Sequence, residues 1–375
     1  MRVLFFSPGF GVHEQRFLRV LASSRHEISF LSLNDTPELP DSLQKIRQVF
    51  WPEDRFSAED PLLCRMPALL ETLQCVRPDI VHAGPVQTCG FLSALSEYCP
   101  IAVMSWGSDL LAQPERDPLD QWIATFTLRH ADALICDADC VRSKAQSLRG
   151  SAFRKIAQFP WGVDLLQCAP SEHESRIRRT LGWDDCFVLV STRNWEASYD
   201  LFVTLKAFAG AHEELPTLRL VLLGSGSLRP EVESFIHEQG LQDIIHCPGR
   251  VDESQIASYL QASDTYVSSA PCDGSSISLL QAFATGLPVI VADAFGNREW
   301  VTRESGWLAQ VGSTTSYKDC ILEAVNVGVE VRKHMAQNNR GIAEVRADWK
   351  VNSRKLLELY DDLERENTSR ELQES

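Results

Sequence analysis

The residues best placed to do chemistry lie between Ser268 and Trp300, in the run SSAPCDGSSISLLQAFATGLPVIVADAFGNREW. Its apolar lead-in ends near Ser268, and Asp273 and Gly274 then mark a turn. Ser275 and Ser276 follow, where the N-cap of a helix over Ile277–Thr285 belongs. A helix start presents unpaired N–H groups and a partial positive charge, so a diphosphate can dock there without lysine. Asp273 and Gln281 are eight positions apart, one before the helix and one more than a turn inside it, so they could reach two parts of an extended ligand. A capped helix beside a sheet, with Gln281 on the surface, accounts for the same pattern.

The elements around this segment follow one rhythm. Short apolar runs alternate with longer amphipathic ones, as in parallel sheets covered by helices. Strands are expected at 3–6, 28–31, 79–82, 101–104, 133–136 and 156–158, with helices at 14–22 and 67–76. Residues 34–62, rich in proline and charge, read as an irregular excursion. FPWGVDLLQCAP, leading into SEHESRIRR, reads as a linker. The alternation restarts with strands at 187–191, 218–223, 244–247, 265–268, 288–291 and 307–309, and helices at 199–212, 229–238, 253–261 and 277–285. Residues 318–361 read as helices, and ERENTSRELQES as a frayed tail. The expected division is 1–165, 166–345 and a C-terminal helix over 346–375 that packs back on the first domain. Two α/β sheets in series make the space between two Rossmann-like domains the natural ligand site.

Composition narrows the class. The 375 residues exceed one ordinary core, and a net charge of −15 opposes nucleic-acid binding and general adsorption to anionic lipid. The start, MRVLFFSPGF, lacks the apolar length of a signal peptide, and no run approaches a membrane span. The eleven scattered cysteines form no C-x-x-C, which suits a reducing compartment; a cytoplasmic location is expected. No metal site and no cofactor are expected. A dehydrogenase would need Gly-x-Gly-x-x-Gly after the first strand; SPGFGVHEQ has Gly9 and Gly11, then Glu14.

The 268–300 segment resembles the signature of family 4 glycosyltransferases of the GT-B fold: a Glu-x7-Glu motif, then the stretch read here as QAFATGLPVIV. WGVD (161–164) resembles the family hinge. STRNWEASYDLFVTLKAF resembles the loop that brings basic residues to the donor diphosphate, and LVLLGSGSLRPEVESF the strand before Gly-x-Gly. CPGRVDESQIASYLQASDTYV resembles the next strand-loop-helix-strand. SPGFGVHEQ, DIVHAGP and SWGSDLL resemble first-domain loops, the last two on the acceptor side. The resemblance covers roughly residues 1–345.

It implies a retaining, metal-independent transfer of a hexose from a nucleotide-sugar donor to a sugar, lipid-linked or small-molecule acceptor. Asp273 stands where the family contacts the sugar, Gln281 where it holds the ribose, and Arg193 where it meets the β-phosphate. Ser275 and Ser276 would offer amides, with Gly274 turning the chain, while Gly11 and Gly224 would permit close approach of backbone. Two departures stand out. Gln281 replaces an acid, and the lysine expected a few residues after Arg193 gives way to Ser198 or Tyr199. Arg250 and Arg298 could restore the charge; Lys206 is badly placed for it. On the acceptor side the candidates are His13, His82 and Asp109, with Trp106 where many members carry histidine. The departures also fit a GT-B module that binds a sugar nucleotide or a partner without turnover.

Overall fold

A computed structural model describes residues 1–34, 37–52, 60–171 and 175–374, with side chains left undescribed beyond Glu366. The chain forms two compact units. One comprises Met1–Phe159 with Ser353–Ser375, the other Pro160–Asn352.

The first unit is built on seven parallel strands: β1 (Arg2–Ser7), β2 (Glu27–Ser32), β3 (Arg47–Val49), β4 (Ile80–Ala83), β5 (Ile101–Met104), β6 (Ala133–Cys136) and β7 (Lys155–Gln158). Their order is β3-β2-β1-β4-β5-β6-β7. Nearly every residue of β1, β2, β4, β5 and β6 is buried, as strands covered on both faces must be. β3 lies within the stretch expected to be irregular. It is short and half exposed at the sheet edge, so no apolar run announces it. Residues 35–36 and 53–59 of that stretch lie outside the described residues.

The second unit repeats the plan with β8 (Phe187–Ser191), β9 (Leu218–Leu223), β10 (Ile245–Gly249), β11 (Thr265–Ser268), β12 (Val289–Ala292) and β13 (Gly306–Ala309), ordered β10-β9-β8-β11-β12-β13. In both sheets the chain goes outward on one side of the first strand, then returns to pair on its other side. That reversal opens a crevice beyond the carboxyl ends of the strands, at β1/β4 and at β8/β11.

The stretch 160–170, read as the inter-domain linker, follows directly on Phe159, where the first unit ends: Gly162, at φ +65°, lies against Ala347 and Trp349, and Val163 exchanges backbone hydrogen bonds with them. A Cβ on Gly162 would sit 2.7 Å from the Ala347 oxygen. Two segments depart from the sequence reading. Tyr199 ends a 3₁₀ turn (Ala197–Tyr199) instead of opening the helix, which begins at Leu201 because Asp200 is left-handed at φ +49°. The last helix runs Arg354–Glu374, through the stretch expected to fray. It is tied to the first unit by Arg25, which grips Asp361 and Glu364, and by the N-terminal amine on Glu364 at 2.8 Å.

Candidate functional site

The second unit gathers its polar residues at the β8/β11 reversal. β8 ends at Ser191, and Thr192 and Arg193 follow directly. β11 ends at Ser268 and leads through Asp273 and Gly274 into the helix Ile277–Thr285. Ser276 caps that helix: it is extended at φ −61°, ψ 118°, and its hydroxyl accepts from the Leu279 amide. The helix ladder begins with Leu280 N–H on the Ser276 carbonyl, leaving the amides of Ile277 and Ser278 as open donors of the terminus.

Arg193 joins the two loops. One guanidinium nitrogen donates to the Ser276 hydroxyl at 3.0 Å, and the other donates to Asp273. The third, Nε, is buried and, among the described residues, without a partner, as are the neighbouring hydroxyls of Ser191 and Thr192. The residue is only 8% exposed, and its guanidinium carbon lies 4.5 Å from the centre of the Tyr199 ring. Leaving a buried donor unpaired is unfavourable, so this nitrogen is a donor still open to an acceptor.

Glycine makes the spacing possible. Gly224, at φ +99°, lets the turn after β9 touch Arg193: a Cβ there would meet the Arg193 carbonyl at 2.6 Å. Gly296 does the same for the opposite loop, since its Cβ would fall 2.1 Å from the Asp273 oxygen and 2.3 Å from that of Gly274. Neither Gly226 nor Glu196 was singled out in the sequence, yet both hold the basic loop. A Cβ on Gly226 would collide with the Trp195 carbonyl at 2.3 Å, and Glu196 accepts from the amide and hydroxyl of Ser227. Asn194, Glu196, Ser225, Gly226 and the exposed Arg250 line a pocket of about 220 Å³. Arg298 is engaged elsewhere, in two bonds of 2.6 and 2.9 Å to Asp293.

Ser275 is 4% exposed and Gln281 6%. Gln281 is therefore not the surface residue that the plain reading of a capped helix allows. Its backbone carbonyl accepts from the Thr285 hydroxyl at 2.8 Å.

In the first unit the acceptor-side candidates separate. His13 is half buried one residue into the helix Val12–Ala22, its ring 5.6 Å from that of Trp106. Burial, helped by Arg16, lowers its pKa to about 4, so it is neutral at ordinary pH. Asp109 is 3% exposed and stitches two loops together: it accepts from the amides of Val86 and Trp106 at 2.9 and 3.0 Å and from the Ser105 hydroxyl at 2.7 Å. It holds the Trp106 backbone in place. Burial raises its pKa.

His82, the remaining acceptor-side candidate, lies in the core of its unit. It is fully buried, packed edge-on against Phe5 at 4.8 Å and Tyr360 at 5.9 Å, and its Nδ1 shares a 2.5 Å hydrogen bond with the Tyr360 hydroxyl. Desolvation lowers its pKa to about 3. Tyr360 lies 278 residues away, so the sequence held no sign of this partner. Gly11 caps the Val12–Ala22 helix in extended conformation, its amide donating to Glu14 at 2.9 Å; within its own unit, a Cβ there would touch only that carboxylate, at 3.0 Å.

Residues 174–341 match the family described as glycosyl transferases group 1, and residues 2–138 match that described as glycosyl transferase 4-like. The chain belongs to the family 4-type glycosyltransferases. Among curated relatives it is 30% identical over 166 residues to the GtfA subunit of the Streptococcus gordonii UDP-N-acetylglucosamine–peptide N-acetylglucosaminyltransferase, covering 40% of this chain and 31% of that one. It is 24% identical over 187 residues to alpha-monoglucosyldiacylglycerol synthase of Streptococcus pneumoniae, covering 48% and 41%. The chain thus spans less than half the length of these two relatives. An Escherichia coli alpha-1,3-galactosyltransferase acting from UDP-Gal on GlcNAc-diphosphoundecaprenol is 23% identical, with 71% of this chain and 74% of that one covered. Among solved structures, sucrose-phosphate synthase from Thermosynechococcus elongatus superposes with a TM-score of 0.79 at 16% identity, covering 97% and 99%. Anabaena HepE in complex with UDP-glucose does so at 0.78 and 18%, covering 96% and 100%. The fold is GT-B, two parallel-sheet Rossmann-like domains in one chain. No helix among the described residues is long and apolar enough to cross a membrane.

Proposed function

We propose that this glycosyltransferase moves a hexose from a nucleoside-diphosphate sugar to a sugar, lipid-linked or small-molecule acceptor, with retention at the anomeric carbon and without a metal. The observation that carries the reading is the Arg193 guanidinium, buried against the cap of the Ile277–Thr285 helix with its Nε unpartnered among the described residues. As the bond from the anomeric carbon to the β-phosphate oxygen breaks, negative charge grows on the departing diphosphate. A fixed guanidinium and the open amides of Ile277 and Ser278 meet that charge without reorganising. The acceptor hydroxyl oxygen forms the new bond on the same face of the sugar, and its proton passes to the leaving phosphate oxygen. Asp273, held by Arg193, faces the sugar hydroxyls, and Gln281 faces the ribose. UDP-glucose in the complex of the structurally similar Anabaena HepE supports a nucleotide-sugar donor. On the acceptor side His13 and Trp106 are the contacts, with Asp109 behind them.

The test is a thermal-unfolding panel of UDP, GDP and ADP and their sugars, with and without EDTA. A ligand at 100 times its Kd stabilises by about 2.7 kcal/mol. One nucleoside diphosphate should give a shift insensitive to EDTA, and Arg193→Ala should abolish it while the chain still unfolds cooperatively. Retention of the shift by Arg193→Ala would refute the diphosphate assignment. Donor-dependent release of nucleoside diphosphate then separates a transferase from a module that binds without turnover, the reading that Gln281 and Tyr199 keep open.

A further inference from the structure

The basic loop carries one cation where the resemblance leads one to expect two. Arg193 lies with its guanidinium carbon 4.5 Å from the centre of the Tyr199 ring, close enough for cation–π attraction. The ring is not placed there by its own helix. It ends the Ala197–Tyr199 turn, and the chain reverses at Asp200 in the left-handed region. That reversal is clipped to the residue directly after β11: the Ser269 hydroxyl donates to the Asp200 carbonyl at 2.7 Å, and the Thr204 hydroxyl donates to Ser269 at 2.8 Å. Ser269 is 2% exposed and Thr204 fully buried, so the clip is shielded from competing water. At the other end of the loop, Glu196 is tied to Ser227, and Trp195 donates its indole N–H to the Leu223 carbonyl at 3.0 Å. The Tyr199 ring is therefore a shelf on a loop tied at both ends, one of them to the segment after β11 that carries Asp273.

We propose that Tyr199 is a positioning residue that substitutes for a second phosphate-facing cation: its ring holds the Arg193 guanidinium at the diphosphate site, so one oriented charge replaces two mobile ones. This rests on the donor reading above. Nothing else described stacks on the guanidinium, whose remaining contacts, Asp273 and Ser276, hold the edge with its two terminal nitrogens. A lysine at 199 would repel Arg193 unless an anion lay between them, whereas a neutral aromatic face attracts it in every state.

The experiment uses the full chain and compares UDP with UMP, or the GDP/GMP or ADP/AMP pair if that base gives the larger shift. Tyr199→Phe keeps the ring and should bind the diphosphate within about twofold of the parent. Tyr199→Met, matched in bulk but without the ring, should lose about tenfold in diphosphate affinity, the scale of one partly desolvated cation–π contact. Its affinity for the monophosphate, which lacks the β-phosphate that Arg193 meets, should be unchanged. In an Arg193→Ala background Tyr199→Met should have no further effect on either nucleotide. Equal losses for diphosphate and monophosphate, or an undiminished loss without Arg193, would overturn the positioning role, as would unchanged binding by Tyr199→Met. If Arg193→Ala itself keeps diphosphate affinity, the donor reading fails instead, and the two failures are thereby distinguished.

Discussion

Replacing Gly296 with alanine tests the site at a residue that touches no ligand in the proposed mechanism. The added Cβ would lie 2.1 Å from the Asp273 oxygen and 2.3 Å from the Gly274 oxygen, and 2.9 Å from the Asp273 carbonyl carbon. Real Cβ contacts essentially never fall under 3.0 Å, so the loop must retreat by about 0.9 Å from the first of these atoms. All three neighbours are backbone, so no flexible side chain can give way instead. Overpacking of this kind costs about 1–3 kcal/mol of stability. The functional loss should be larger in relative terms. The displaced loop carries Asp273 and opens onto Ser276, both bonded to Arg193. A misplacement of about 1 Å can cost about 100-fold in rate. We expect kcat/KM for donor-dependent release of nucleoside diphosphate to fall by about that factor, while thermal unfolding stays cooperative with a modestly lowered Tm. Gly341→Ala is the matched control: nothing lies within 4 Å of its Cβ, and as a helix-interior change it should stabilise by about 0.5–1 kcal/mol. A folded Gly296→Ala protein with kcat/KM within threefold of the parent would show that this loop does not carry the site.

Gln281→Glu should restore an ionised acceptor. The position is 6% exposed, so the charge should lower the stability of the protein alone and tighten nucleoside-diphosphate binding by about tenfold, measurable by titration calorimetry, in line with the roughly twofold greater strength of charge-assisted bonds. The second concerns acid stability. His82 has a folded pKa of about 3, below its ordinary value, so as pH falls below about 6.5 the unfolded chain takes up the proton first and the native state loses stability. At pH 4.5 this one group should account for about 2–3 kcal/mol. Urea unfolding of His82→Gln should show a shallower loss between pH 6.5 and 4.5, and an unchanged slope would contradict the assignment.

Much of the architecture was legible in sequence because parallel strands buried on both faces announce themselves as short apolar runs. β8, β11 and β6 fall where those runs lie. Edge strand β3 carries no such run, since it buries little, and it was missed. Ser276 as the cap of its helix was legible too, because capping is a contact three residues long. Contacts across the chain were not. Composition and periodicity cannot say that Gly296 meets Asp273, that Glu196 clamps Ser227, or that Tyr199 lies beneath Arg193.

The two histidines on the acceptor side mark the boundary between these kinds of information. The sequence by itself determined that His82 stands near the end of a buried strand and that His13 opens a helix, because local pattern sets which element a residue belongs to. Only the tertiary structure decided their surroundings. The last helix brings Tyr360 against His82 and seals it in the core, while the loop after β5 brings Trp106 beside the half-buried His13. A side chain's neighbours depend on which elements pack together, and packing joins residues hundreds of positions apart that no local pattern connects.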